Sequence, residues 1–170
     1  MLLSVSDVSV SRGGRVLLEG VTFDLQAGRA IVLTGKNGIG KTSLLRTLSG
    51  LQDANSGRVG IPQDTVVYSA HLEGIKHALS VAENLQFWGA VFGTSNLDVA
   101  LETFDLEDLR DVMAGALSAG QKRRLGLARL LVTGRSIWLL DEPTVSLDLG
   151  SVKQLTRVLN DHLGVGGSAI

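Results

Sequence analysis

The sequence predicts an α/β fold: a parallel sheet leading into a glycine loop, an antiparallel β layer at the N-terminus, and a small helical lobe in the middle of the chain. Three observations predict it. Ala30-Ile31-Val32-Leu33 is a short apolar run that leads into Gly35-Lys36-Asn37-Gly38-Ile39-Gly40-Lys41-Thr42-Ser43 and then into a helical pattern. Ile137-Trp138-Leu139-Leu140 is a second apolar run, and it ends on Asp141-Glu142. Between them, Leu117-Ser118-Ala119-Gly120-Gln121 opens a further helical pattern.

In chain order, residues 2–10 alternate apolar and polar side chains, with Leu3, Val5, Val8 and Val10 as the apolar set. Gly13-Gly14 turns the chain into a strand-like stretch from Val16 to Leu25, so the two form an antiparallel edge layer. Gln26-Ala27-Gly28 is another turn, and Ala30 to Leu33 is expected as a buried parallel strand. Thr42 to Leu51 reads as a helix with Leu44, Leu45 and Leu48 on its apolar face, Ser56-Gly57 as a turn, and Thr65 to Tyr68 as a strand. From about Leu79 to Val112 the spacing is helical, broken at Gly93-Thr94-Ser95-Asn96, which places a helical lobe at about 72–120. Gln121 to Val132 is expected as a helix ending at Gly134, and Ile137 to Leu140 as a buried strand. Leu149 to Leu163 is expected as a helix with Val152, Leu155, Val158 and Leu159 on one face. No repeat or long linker interrupts residues 1–170, so a single domain is expected.

Composition narrows the function classes. Sixteen basic and 17 acidic residues give a net charge of −1, which argues against nucleic-acid binding through a large basic surface. The absence of cysteine removes disulfides, thiolate metal sites and cysteine nucleophiles. No run approaches the roughly 18–20 apolar residues that cross a bilayer, and Met1-Leu2-Leu3 is followed at once by Ser4 and Asp7. Neither a membrane span nor a signal peptide is expected, so any work at a membrane needs a partner that places the chain there.

The glycine loop carries the chemistry. Gly35, Gly38 and Gly40 permit backbone angles and close approaches that let successive amide N–H groups of residues 35–43 converge on phosphate oxygens. A helix starting near Lys41 adds its positive end. Lys41 can reach β- and γ-phosphates, and the Thr42 hydroxyl is placed to ligate magnesium. At the carboxyl end of the strand Ile137–Leu140, Asp141 is expected to hold the magnesium and Glu142 to polarise the attacking water. Ser118, Gly120 and Gln121 stand at another helix start, readable either as a contact to a phosphate or as an ordinary capped helix with Lys122-Arg123-Arg124 as a solvated face.

The glycine loop, Leu117-Ser118-Ala119-Gly120-Gln121, the Asp141-Glu142 strand end and Ser146-Leu147-Asp148 together resemble the nucleotide-binding subunit of ABC transporters. The resemblance implies a P-loop NTPase core, ATP and Mg2+ as cofactors, and a nucleotide shared between two copies of the chain. Gly35, Lys36, Asn37, Gly38, Ile39, Gly40, Lys41, Thr42 and Ser43 of one copy then face Ser118, Gly120 and Gln121 of the other. Ala119 replaces the more usual second glycine of that signature.

A narrower resemblance rests on Gly74-Ile75-Lys76, Leu79-Ser80-Val81, Glu83-Asn84-Leu85, Phe87-Trp88, Ala119 and Gln121-Lys122-Arg123-Arg124. These are similar to the ATP-binding subunit of the cytochrome c maturation haem exporter. That likeness implies a dimer docked peripherally on an integral membrane subunit, at the cytoplasmic face of the bacterial inner membrane. It also implies haem export or release of a loaded haem chaperone during c-type cytochrome assembly. An ATPase of another transporter, a soluble ABC ATPase and a non-hydrolysing regulator are the alternatives.

The chain departs from the family pattern at three places. Leu72, preceded by His71, occupies the position of a glutamine that touches magnesium or water in many relatives. Arg12 stands where many relatives stack an aromatic ring on adenine; a guanidinium can stack too, or can simply be solvated beside Gly13-Gly14. Ser168-Ala169-Ile170 reads as the start of a strand that in the family leads to a histidine contacting the γ-phosphate. The expectation is a fragment rather than a degenerate member, binding MgATP but hydrolysing it slowly. Trp138 is expected in the core, and Trp88 either in the core or on a partner-facing surface.

Overall fold

Val5 and Val8 are three residues apart, a spacing that strict alternation cannot bury on one face. The chain solves this with a β-bulge. The computed structural model describes residues 2–70, 74–145 and 147–170. In it β1 (Leu3–Arg12) pairs antiparallel with β2 (Arg15–Leu25), and the register shifts between Val5 and Val8, where Asp7 takes φ 52°. The extra residue returns Val8 and Val10 to the face of Leu3 and Val5, and all four are buried. Contrary to the turn expected at Ser56-Gly57, β3 (Ser56–Gly60) is a strand on the other side of β1. Gly57 is the reason it fits. A β-carbon there would lie 2.2 Å from the carbonyl oxygen of bulged Asp7.

The second sheet has the order β4-β5-β6, with β4 at Val66–Ser69, β5 at Ile137–Leu140 and β6 at Ser168–Ala169. β5 and β6 are parallel. The stretch Ala30 to Leu33 differs from the expected buried strand: it joins the sheet only through a bridge from Ala30 to Ala169. Ile31 donates to Ala169 at 2.9 Å, but Val32 is 81% exposed.

The residues fall into two units. One comprises Met1–Tyr68, Arg135–Asp141 and His162–Ile170; the other comprises Ser69–Gly134 and Glu142–Asp161. In the first, Leu3, Val5, Val8, Val10 and Leu25 pack with Leu44, Leu45 and Leu48 of helix α1 (Lys41–Leu48) and with Ile137 and Leu139. Burying each such side chain contributes about 1.5–3 kcal/mol. Trp138 is in this unit's core, its ring stacked 3.7 Å from that of His162 and its indole N–H donating to the Arg135 carbonyl at 3.0 Å.

In the second unit, helices α2 (Val81–Phe92) and α3 (Leu97–Thr103) pack on α4 (Ala119–Thr133). α2 begins with a capping box, in which the Ser80 hydroxyl accepts from the Glu83 N–H and the Glu83 carboxylate accepts from the Ser80 N–H. Buried Asn84 clasps the preceding loop by accepting from the Lys76 N–H at 2.8 Å and donating to the carbonyls of Lys76, Leu79 and Ser80. Trp88 is half-buried, with Phe92 stacked on it and the Arg129 guanidinium over its ring at 4.8 Å. α5 runs from Leu149 to Gly164.

Candidate functional site

The glycine loop ends where α1 begins, and its geometry follows from residues that lack a β-carbon. Gly35, Gly38 and Gly40 all have positive φ, at 146°, 81° and 119°. A side chain at Gly40 would also press within 3.0–3.1 Å of Leu18 and Leu17. Gly40 is the N-cap of α1, so the helix has no side-chain cap and no acid in its first turn. The contrast with α2 and α4 is informative, because both carry a complete capping box. The amides of α1's first turn therefore point at the loop with no carboxylate of the helix to meet them.

Lys41 folds back over the loop, and its ammonium donates to the carbonyls of Gly35 at 2.7 Å and Lys36 at 3.2 Å. Lys36, Asn37, Gly38 and Ile39 are exposed on the loop, while Ser43 is buried in the first turn of α1. Thr42 Oγ1 donates to Asp141 Oδ1 at 3.1 Å, bringing together the end of the glycine loop and the end of β5. Tyr68, at the end of the neighbouring strand, donates its hydroxyl to Asp141 Oδ2 at 3.1 Å. Both carboxylate oxygens of this 9%-exposed residue are thus directed by hydroxyls. Burial first, and then the charge of Asp141, push the Tyr68 phenol up to about 12.

Sequence reasoning missed Tyr68. The available signal was its place near the end of an apolar strand, but hydroxyl-to-carboxylate pairing with the end of the neighbouring strand is invisible until the strand order is known.

Glu142 is exposed and takes φ 49°, a conformation uncommon for a non-glycine residue. Ser118 is the N-cap of α4, accepting from the Gln121 N–H at 3.3 Å, while the Gln121 side chain accepts from the Ser118 N–H at 2.8 Å. Gly120 lies in the first turn and a β-carbon there would meet nothing within 4 Å. The solvated-face reading of Lys122-Arg123-Arg124 is corrected at its centre. Arg123 is only 3% exposed, donating Nη2 to the Glu142 carbonyl at 2.8 Å and Nη1 to the Ala70 carbonyl at 3.4 Å. Arg12 is exposed at the end of β1, in register with Arg15. His71, Leu72 and Ser146 lie outside the described residues.

These groups fit a nucleotide triphosphate and a hard divalent cation. The loop supplies backbone amides, a lysine ammonium and a helix start, and Thr42 with Asp141 pairs a hydroxyl and a carboxylate oxygen, the donor types magnesium prefers.

The sequence matches the ABC transporter family over residues 18–145. It is 58% identical over 170 residues to the cytochrome c biogenesis ATP-binding export protein CcmA of Roseobacter denitrificans, covering 100% of this chain and 82% of that protein. It is also 58% identical to the protein of the same name from Paracoccus denitrificans, covering 99% of this chain and 80% of that one. The fold matches a solved ATP-binding subunit of an ABC transporter with a TM-score of 0.91 at 24% identity, over 99% of this chain and 78% of that one. A putative ABC transporter ATP-binding protein from Pyrococcus furiosus matches with a TM-score of 0.86 at 27% identity, over 99% of this chain and 90% of that one.

Proposed function

The chain belongs to the ABC transporter family as an ATP-binding subunit, and from that premise we propose that two copies of it close on MgATP and drive a membrane partner in c-type cytochrome biogenesis. The observation that carries this reading is the contact of Thr42 with Asp141 beside the folded-back ammonium of Lys41. ATP phosphates would take the amides of residues 38–43, and Lys41 would exchange two neutral carbonyls for charged phosphate oxygens, a stronger acceptor set.

Thr42 and Asp141 would hold the magnesium. When bound, that ion draws charge from the β- and γ-phosphate oxygens. Tyr68 keeps the Asp141 carboxylate turned toward Thr42 by holding its second oxygen. Glu142 orients water for in-line attack and takes its proton. Ser118 already accepts from Gln121, and its own hydroxyl proton would be donated to the γ-phosphate on the opposite copy, where Gly120 allows close approach. Arg12 would lie against adenine.

Among the described residues no helix is long and apolar enough to cross a membrane, which supports a separate integral membrane subunit. The relatives' names support export linked to cytochrome c assembly as the process. In this reading the chain is held on the cytoplasmic face of the inner membrane. Haem, or a haem-loaded chaperone, is the cargo of this reading.

The test is Glu142→Gln with saturating MgATP, followed by light scattering behind a sizing column. A stable dimer is expected; a monomer overturns the shared site. For the process, a strain lacking the gene is expected to lose haem-stained c-type cytochromes and to regain them with the wild-type chain but not with Lys41→Ala. Normal cytochrome levels in that strain would remove the assignment to cytochrome biogenesis while leaving the ATPase intact.

A further inference from the structure

We propose that Arg123 is a positioning residue for Glu142, transmitting any movement at the start of α4 to the backbone that carries the proposed base. The proposal rests on the reading of Glu142 given above. Arg123 stands two residues beyond Gln121, in the second turn of α4, yet it is 3% exposed. Burying a guanidinium is costly unless its hydrogens are well directed. Here two of its nitrogens are aimed at carbonyls that leave two neighbouring strands: Ala70, just past β4, and Glu142, just past β5. A rigid planar fork spanning two fixed points resists rotation in a way a flexible ammonium does not.

The peptide that this fork grips is a strained one. Glu142 sits at φ 49°, a conformation that is unfavourable for a side chain of its kind and persists only where surroundings impose it. Pro143 follows and has no N–H, so the peptide after Glu142 can be held only by its carbonyl. That carbonyl accepts from Arg123 at 2.8 Å and from the Val145 N–H at 3.2 Å. Fixing it fixes ψ of Glu142, and with it the direction in which the carboxylate leaves the backbone. The same α4 start carries Ser118, so engagement of that serine and orientation of Glu142 share the first two turns of one helix.

Arg123→Met removes the donors while filling the same volume, and Arg123→Lys keeps a charge and a shorter, flexible donor. Three readouts separate the roles: the single-turnover rate of ATP hydrolysis, the affinity for a fluorescent ATP analogue, and the MgATP-induced dimer in a Glu142→Gln background. The expected result for Arg123→Met is a hydrolysis rate lowered about 10- to 100-fold, nucleotide affinity within about threefold of wild type, and an undiminished dimer. Arg123→Lys restores part of the rate. A wild-type rate in Arg123→Met overturns the proposal, as does loss of rate, affinity and dimer together with a lowered Tm, which marks a merely structural arginine. If Glu142→Gln alone hydrolyses at the wild-type rate, the assignment of Glu142 fails first and the proposal falls with it.

Discussion

The Thr42 hydroxyl lies 3.1 Å from Oδ1 of Asp141 across 99 residues of chain, and this contact ties the glycine loop to the strand that ends in two acids. Neither residue is held there by chance packing. Thr42 is fixed by the first turn of α1, and Asp141 by β5, whose Ile137 and Leu139 are fully buried. The relation is therefore set by the core rather than by surface loops, which suits a site where positions must be kept to fractions of an ångström.

Asp141→Asn tests the metal assignment with little disturbance to the fold. An asparagine can still accept from Thr42 and pair with Tyr68, so chiefly the charge is lost. We expect the affinity for Mn2+ in the nucleotide complex, read by electron paramagnetic resonance, to fall at least about 10-fold. Nucleotide binding in the presence of a chelator should stay within about twofold of wild type. Unchanged Mn2+ affinity would place the cation elsewhere.

Tyr68 is the sole tyrosine of the sequence, so its phenolate can be followed by ultraviolet absorbance without overlap. With the phenol pushed up to about 12, chiefly by burial and next by the Asp141 charge, only about a tenth should be ionised at pH 11. A raised folded pKa stabilises the fold below the unfolded value near 10, and that contribution is lost as pH climbs from about 10 toward 12. In Asp141→Asn the midpoint should drop but stay above 10, because burial remains. Ordinary titration near 10 in the wild type would break the Tyr68–Asp141 link.

Ser118→Asp distinguishes a helix cap from a phosphate contact. Aspartate caps a helix about as well as serine, so Tm should hold, whereas Ser118→Ala should cost about 1 kcal/mol. A carboxylate facing a γ-phosphate is repulsive, so the aspartate variant should fail to form the MgATP dimer trapped by Glu142→Gln. A dimer of undiminished stability would show that Ser118 serves the helix alone.

His162 predicts an acid-side loss of stability. Burial against Trp138 holds its imidazole below the usual value of 6.5. The unfolded chain then binds the proton more readily, so the contribution is complete above pH 6.5 and is lost as pH falls from there through the lower folded value. His162→Phe keeps a ring to stack and removes the titration. Its Tm should decline less between pH 7 and 5 than that of wild type; parallel declines would assign the effect to other groups.

Much of the α/β frame was legible because its signals are local. The runs that became α1, α4 and β5 carry their own periodicity and stop residues, and the acids at 141–142 follow directly from the apolar run before them. The glycine loop was legible for the same reason. What escaped was non-local. Ser56-Gly57 has the composition of a turn, and only Asp7 bulging on β1 makes Gly57 a strand residue. Val32 reads as core, yet its side chain is exposed, on a stretch joined to the sheet by the bridge from Ala30 to Ala169. Arg123 sits in a basic run that resembles a wet face, and its burial depends on carbonyls 19 and 53 residues away.

The uncapped beginning of α1 has a thermodynamic sequel. A helix that borrows its terminal partner from solution transfers part of its own stability to whatever is dissolved around it, while α2 and α4 keep theirs in serine hydroxyls. By mass action, an occupant at 100 times its dissociation constant adds about 2.7 kcal/mol to the folded state. A bound nucleotide would thus hold the chain folded as well as feed its proposed reaction, and removing the nucleotide would withdraw both.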